Sequence, residues 1–368
     1  MRFLAYIKHF FIFSFFLGVI PLFAQQKQKS PISFSLNYYF DGRLTKYRST
    51  HLNIFLPNHP RMIEICVNRV PIGNKKWEKY WNYPIIGVSL AFFEHNREEL
   101  GQTLALNPFF EINAIRRKKF TLTVAPSLGI AWFSKVYHVE TNPENTAISA
   151  PLNASFFLDM KLKYIINEHF TIHANGTFRH FSNGAVRLPN VGLNDAMWGI
   201  GVTYQYTPTK LNPTIDTVKE KKRIRVNLEV GTNHKSINYG ENFAYRFYVV
   251  SMYASYKVSK INSIVVGMDG YYDESVYPEF LRHNLEVNKD DVNNYSLAAN
   301  IGTEIFLGNF SYTPQFGWYL YQYHSFYGNF VHRHTMKLYL LDFLYLKGTL
   351  KVFSAAADSF DYGLGVRF

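Results

Sequence analysis

The chain has 368 residues, 47% of them apolar and 18% aromatic, and carries a formal charge of +12 at neutral pH. That much apolar material excludes a disordered chain, and a single cysteine, Cys66, excludes an internal disulfide. A positive balance suits anionic partners.

Residues 1–24 read as a secretory signal, with Arg2 and Lys8 as the basic start, Phe10 to Val19 as the apolar run and Leu22-Phe23-Ala24 as the cleavage end. Export argues against a nucleic-acid partner. No later run is apolar for the length a membrane helix requires. Cys66 is read as a small packed or membrane-facing hydrophobe.

Residues 25–207 hold eight segments of strand character, at about 32–40, 61–68, 84–95, 103–115, 120–134, 151–165, 169–182 and 195–207. Several alternate cleanly. Leu152, Ala154, Phe156, Leu158, Met160, Leu162 and Tyr164 oppose Asn153, Ser155, Asp159, Lys161 and Lys163. Successive strand side chains face opposite sides, so such segments have one apolar and one polar face. Short polar turns such as Arg116-Arg117-Lys118-Lys119 and Asn167-Glu168 alternate with long loops around 41–60, 135–150 and 183–194. This is the layout of an antiparallel transmembrane β-barrel. A soluble sandwich or lipocalin-like barrel is the alternative. The 27 Tyr and 33 Phe agree with aromatic girdles at the two membrane boundaries.

Residues 208–222, with the charged run from Lys219, are read as a solvated linker, and residues 223–368 as a second half. Its strand segments are placed at about 223–233, 244–257, 262–272, 294–307, 309–323, 333–345, 347–356 and 360–368, with short turns at Ser259-Lys260 and Lys347-Gly348 and a long loop at 273–293. The halves look duplicated. Ala125-Pro126-Ser127-Leu128-Gly129 resembles Thr313-Pro314-Gln315-Phe316-Gly317, and the Trp198–Tyr204 run resembles Tyr362–Phe368. Two eight-stranded barrels or one barrel of about sixteen strands both fit, with the long joint favouring two. The last strand ends on the aromatic Phe368.

The chemistry concentrates in His180-Phe181-Ser182-Asn183-Gly184 and the following Pro189-Asn190-Val191-Gly192-Leu193-Asn194. Even positions from Phe170 to Phe178 are apolar or small, and His180 and Ser182 continue that stripe. Asn194 continues the apolar stripe of the next strand, Ala196, Trp198, Ile200 and Val202, whereas Asp195 falls on the opposite face, where Arg179 is its expected partner. An imidazole, a hydroxyl and an amide thus share the end of a greasy face. Imidazole beside hydroxyl is the minimum equipment for nucleophilic ester cleavage, and a lipid-facing wall implies a lipid substrate.

Through His180-Phe181-Ser182-Asn183, Pro189-Asn190-x-Gly192 and the closing Gly199–Tyr204 strand, residues 84–207 resemble the bacterial outer-membrane lipid A 3-O-deacylases (PagL family) and their longer relatives, the acyloxyacyl hydrolases. Residues 208–368 show no such resemblance beyond the internal repeat. The resemblance implies an eight-stranded barrel in the outer membrane whose active site lies on its lipid-facing wall. It implies Ser182 as nucleophile and His180 as general base, with Asn183, Gly184 and Asn190 in the oxyanion-stabilising region. The family's third member is a Glu, and Asn194 stands at the matching position. An amide oxygen can still fix the imidazole tautomer but cannot balance the imidazolium charge. The implied substrate is lipopolysaccharide, whose phosphates suit the positive charge. No cofactor or metal is implied, and the oligomeric state stays open. The alternatives are a catalytically inactive outer-membrane barrel, as a channel or structural protein, and a soluble exported lipid-binding protein.

Other candidates are bland. His283, His324, His332 and His334 match no ligand spacing and read as loop or interfacial residues. Asp269–Glu274 and Lys289–Asp291 could hold calcium between lipid phosphates, but read better as solvated loops.

Overall fold

The computed structural model describes residues 30–44, 59–208, 223–238, 244–353 and 356–368. The expected export signal and nearly all of the expected linker lie outside these residues. The strands form two closed antiparallel barrels of eight, β1–β8 and β9–β16, each strand pairing with its sequence neighbours and the last closing on the first.

The first barrel contains β1 (Ile32–Leu44), β2 (Arg61–Arg69), β3 (Ile85–Glu94), β4 (Gln102–Arg116), β5 (Phe120–Phe133), β6 (Leu152–Ile165), β7 (Phe170–Ser182) and β8 (Leu193–Gln205). A short helix, α1 (Lys76–Tyr80), fills the β2–β3 connection. The second contains β9 (Ile224–Lys235), β10 (Tyr245–Lys257), β11 (Asn262–Asp273), β12 (Tyr295–Leu307), β13 (Phe310–Tyr321), β14 (Phe330–Tyr339), β15 (Leu344–Phe353) and β16 (Ala356–Arg367), with α2 (Val276–Arg282) in the β11–β12 loop. The duplicated motifs fall on the fifth strand of each barrel, β5 and β13, and on the eighth, β8 and β16.

Alternation decides which side faces lipid. Leu158, Met160 and Leu162 point outward and are 41–56% exposed, whereas Asp159 and Lys161 point inward and are 5% and 4% exposed. No helix among the described residues is long and apolar enough to cross a membrane; the barrels cross with strands. An eight-stranded barrel is just wide enough for its own side chains to fill. Inside the first, Phe93, Phe133, Phe157 and Phe181 pack edge to face near the long-loop rim. Below them Arg179 forms an ion pair with Asp159 at 2.8 Å and lies 3.9 Å over the Phe157 ring. Inside the second, Arg333 pairs with Asp269 at 2.6 Å and Lys347 with Asp361 at 2.7 Å. Much of the chain's charge is therefore internal and paired. Removing one partner from such a pair leaves a buried charge and costs about 3–5 kcal/mol.

Three expectations need correction. The turn between β14 and β15 lies at Leu340–Phe343 rather than at Lys347-Gly348, because Lys347 points into the barrel toward Asp361 while greasy Leu341 and Phe343 sit exposed at the membrane boundary. Asp269 and Asp273 do not belong to a solvated loop. Asp269 lies within β11 on its inner face and Asp273 ends that strand, paired with Arg333 and Lys235 respectively. His332 and His334 lie within β14 on the outer wall, Nδ1 of one 2.9 Å from Nε2 of the other, rather than in a loop.

The two barrels touch at both rims. At the short-turn rim the Trp81 indole N–H donates to the Phe306 carbonyl at 2.9 Å, and Lys260 lies 4.5 Å over the Tyr80 ring. At the long-loop rim, the external one in barrels of this layout, the Ser236 N–H donates to the Ala185 carbonyl and its hydroxyl to the Val186 carbonyl, both at 3.0 Å.

Candidate active site

The site stands where β7 ends at the long-loop rim. Phe181 is completely buried inside the barrel, so its neighbours His180 and Ser182 project from the outer wall. Strand register sets His180 opposite Asn194 on β8 and Phe156 on β6, and sets Ser182 opposite Ala154. Asn194 Oδ1 lies 2.6 Å from His180 Nδ1. With Nδ1 protonated and donating to that oxygen, Nε2 carries a free lone pair.

Ser182 Oγ accepts two hydrogen bonds, from Asn190 Nδ2 at 2.9 Å and from the Gly184 N–H at 3.2 Å. The Asn190 amide cannot turn freely, because its Oδ1 accepts from the Asn183 N–H at 3.0 Å. That bond aims Nδ2 at the hydroxyl. Two N–H donors therefore converge on the Ser182 hydroxyl, an arrangement chemically able to hold a negatively charged oxygen. No hydrogen bond joins His180 to Ser182 among the described residues. They are neighbours on one face, and catalytic bonds of this kind often tighten only once substrate is present.

Of the groups expected in the oxyanion-stabilising region, Asn183 points its side chain elsewhere. Its side-chain amide donates to Ser149 Oγ at 3.1 Å and to the Arg187 carbonyl at 2.9 Å, so it braces the loop and turns away from Ser182. The nearby donor from this turn is the Gly184 backbone, which adopts φ +66°. Asp195 lies inside the barrel as expected, but Arg179 forms its ion pairs with Asp159 and Glu64 instead. Neither Asp195 oxygen has a hydrogen-bond partner among the described residues.

The β5–β6 loop supports the site from beside it. The Thr146 and Ala147 carbonyls accept from the Val191 and Gly192 N–H groups, and Ser149 donates to Arg187. Gly192 has φ +81°, and a Cβ there would come within 3.1 Å of His180 Cε1, so the bare backbone lies flat against the imidazole. The Ser149 contribution carried no local signal, since it comes from a loop distant in sequence. Among the described residues no group of three His, Cys, Asp or Glu is placed to hold a metal ion.

A family model described as lipid A 3-O-deacylase (PagL) matches residues 67–205. A second, described as acyloxyacyl hydrolase, C-terminal domain, matches residues 222–368 and so takes in the half where the sequence alone showed no resemblance. No curated protein matches the chain. Among solved structures, the outer membrane enzyme PagL aligns at 11% identity over 46% of this chain and 97% of its own, with a TM-score of 0.31. A Rhodopseudomonas blastica porin variant aligns at 7% identity over 92% of this chain and 100% of its own, with a TM-score of 0.18. The Acinetobacter baumannii outer membrane protein Omp33 aligns at 7% identity over 92% and 98%, with a TM-score of 0.17. Likenesses this weak carry no argument. The family matches do, one on each barrel: the chain belongs to the lipid A 3-O-deacylase (PagL) and acyloxyacyl hydrolase family of outer-membrane β-barrels.

Proposed function

We propose that the protein is an outer-membrane esterase that removes an ester-linked acyl chain from the lipid A of lipopolysaccharide, with Ser182 as nucleophile. One observation carries the reading: an outward-facing hydroxyl held between two N–H donors, next to an imidazole whose Nδ1 is bonded to Asn194. The family supports the substrate class, since its model is described as a lipid A 3-O-deacylase.

His180 Nε2 takes the proton as Ser182 Oγ bonds to the ester carbonyl carbon. Asn190 Nδ2 and the Gly184 N–H hold the oxyanion. Collapse breaks the bond to the sugar oxygen, which leaves with the proton from His180. Water, deprotonated by the same imidazole, then attacks the acyl-enzyme, frees the fatty acid and restores the hydroxyl. Asn194 keeps Nδ1 protonated throughout. A site on the barrel wall lets the acyl chain stay in hydrocarbon during the reaction.

The second reading is a barrel that kept the fold and lost the reaction. The missing His180–Ser182 hydrogen bond and the amide at Asn194 favour it. One assay separates the two. Lipopolysaccharide is incubated with the purified protein and with its Ser182→Ala variant, and lipid A is weighed by mass spectrometry. Loss of one hydroxyacyl chain with the native protein alone supports the esterase; no loss with either, or equal loss with both, removes it.

A further inference from the structure

We infer that the second barrel completes the acyl-chain subsite: the outer face of β15 and β16 is the wall opposite Ser182, and it selects the chain that lies there. This deepens the esterase reading and rests on it.

The observations lie where the barrels meet. Gly184, whose N–H reaches Ser182 Oγ, sits directly against the second barrel. A Cβ on it would lie 3.1 Å from Phe360 Cβ and 3.8 Å from Leu350 Cδ1. Leu350 and Phe360 are cross-strand partners and form one apolar step on the wall. The covering of that wall is uneven. Leu338 and Val352 belong to the outward set yet are only 4% and 8% exposed, against 57% for Phe316 and 48% for Leu364. On the wall itself, Val352 of β15 is thus covered near the long-loop rim, whereas Leu364 of β16 lies open nearer the short-turn rim.

The same contact holds the turn that carries a site donor. Gly184 and Ala185 both adopt positive φ, +66° and +64°. For alanine that conformation is strained; within the turn it is braced by the Val186 N–H donating to the Asn183 carbonyl and by the Asn183 amide donating to the Arg187 carbonyl. Ser236 captures it from the second barrel, through the bonds to the Ala185 and Val186 carbonyls. A chain bonded to Ser182 thus has Ala154 and Phe156 of β6 on one side and Phe360 and Leu350 on the other. The occupant is a fatty acyl chain, because Ala154, Phe156, Phe360 and Leu350 are apolar, they lie on outward-facing strand positions and the Ser182 hydroxyl stands beside them. Phe360 is a specificity-determining and positioning residue, with no part in proton transfer.

Two esters that differ only in acyl length measure this, with the full-length protein reconstituted in vesicles. Phe360→Ala is expected to change the ratio of their kcat/KM values on the order of tenfold, the scale set by unfilled methylene space in an apolar site. Phe316→Ala, on the lipid-exposed part of the same barrel, is expected to leave it unchanged. A native protein that cleaves neither ester sinks the esterase reading and this inference with it. A native protein that cleaves both, with the ratio unmoved in Phe360→Ala and Leu350→Ala, sinks this inference alone. A measurement without variants covers the case in which these fail to fold. An acyl phosphonate with a diazirine in its chain is allowed to react at Ser182, then photolysed and mapped by mass spectrometry. Adducts on β15 or β16 are expected, and adducts confined to β6 and β7 overturn the proposal.

Discussion

Asn190 is the residue with the most divided task, since one end of its amide is held by the Asn183 N–H and the other points at Ser182. In the proposed mechanism Asn190→Ala takes away an oxyanion donor, and it is expected to lower kcat by about 10²–10³, the usual effect of losing one such group, with KM little changed in the ester assay. Asn194→Glu is expected to give equal or higher activity, because a carboxylate accepts from Nδ1 and also balances the imidazolium. Abolished activity in that variant would show that the amide has a specific role. Gly192→Ala forces a side chain into a φ of +81° and against the imidazole. It is expected to lower kcat while the barrel stays folded, as judged by its heat-modifiable migration on gels.

At the scale of elements, a strand of this protein has a wet-looking side that is dry. Charged residues within β11, β14 and β15 face a filled interior, so charge alone does not mark a turn, which is why Lys347 misled the placement of the β14–β15 connection. The end of β3 gives a pH prediction. His95, just beyond β3, is 3% exposed and stacks between Phe93 and Phe133, and burial pushes its imidazole down to about 4 from an ordinary 6.5. The unfolded chain therefore binds the proton first as pH falls. Stability is whole above pH 6.5, falls between 6.5 and 4, and levels off below, a loss of about 3 kcal/mol if fully expressed. Urea unfolding in micelles at pH 7 and pH 4.5 measures it, and His95→Gln is expected to flatten that difference.

At the scale of the whole molecule, two small filled barrels argue against a pore. Arg179, Phe157 and Phe181 are fully buried within the first, and Arg333, Tyr345 and Lys337 are nearly so within the second. Neither is expected to conduct ions in a planar bilayer, and steady conductance at the single-molecule level would revive the channel reading. The pair is joined at opposite rims, through Trp81 to Phe306 at one and Ser236 to Ala185 at the other. Two-point attachment of this kind holds neighbouring walls in a fixed relation, which is what a subsite shared between barrels requires.

The alternation of apolar and polar residues determined the barrel and its outward face, because a strand's two-residue period leaves no freedom in which side each residue takes. The same rule put His180, Ser182 and Asn194 together on the lipid side and Asp195 inside. Tertiary structure alone decided the closure into two barrels, since strand patterns are alike in an eight- and a sixteen-stranded sheet. It also decided that Asn190 and Gly184, rather than the Asn183 side chain, face the hydroxyl, because loop backbones at positive φ obey no periodicity. Ser149, Ser236 and Phe360 reach the site from distant positions. Such contacts exist only once the chain has folded back upon itself, and no local pattern in the sequence encodes them.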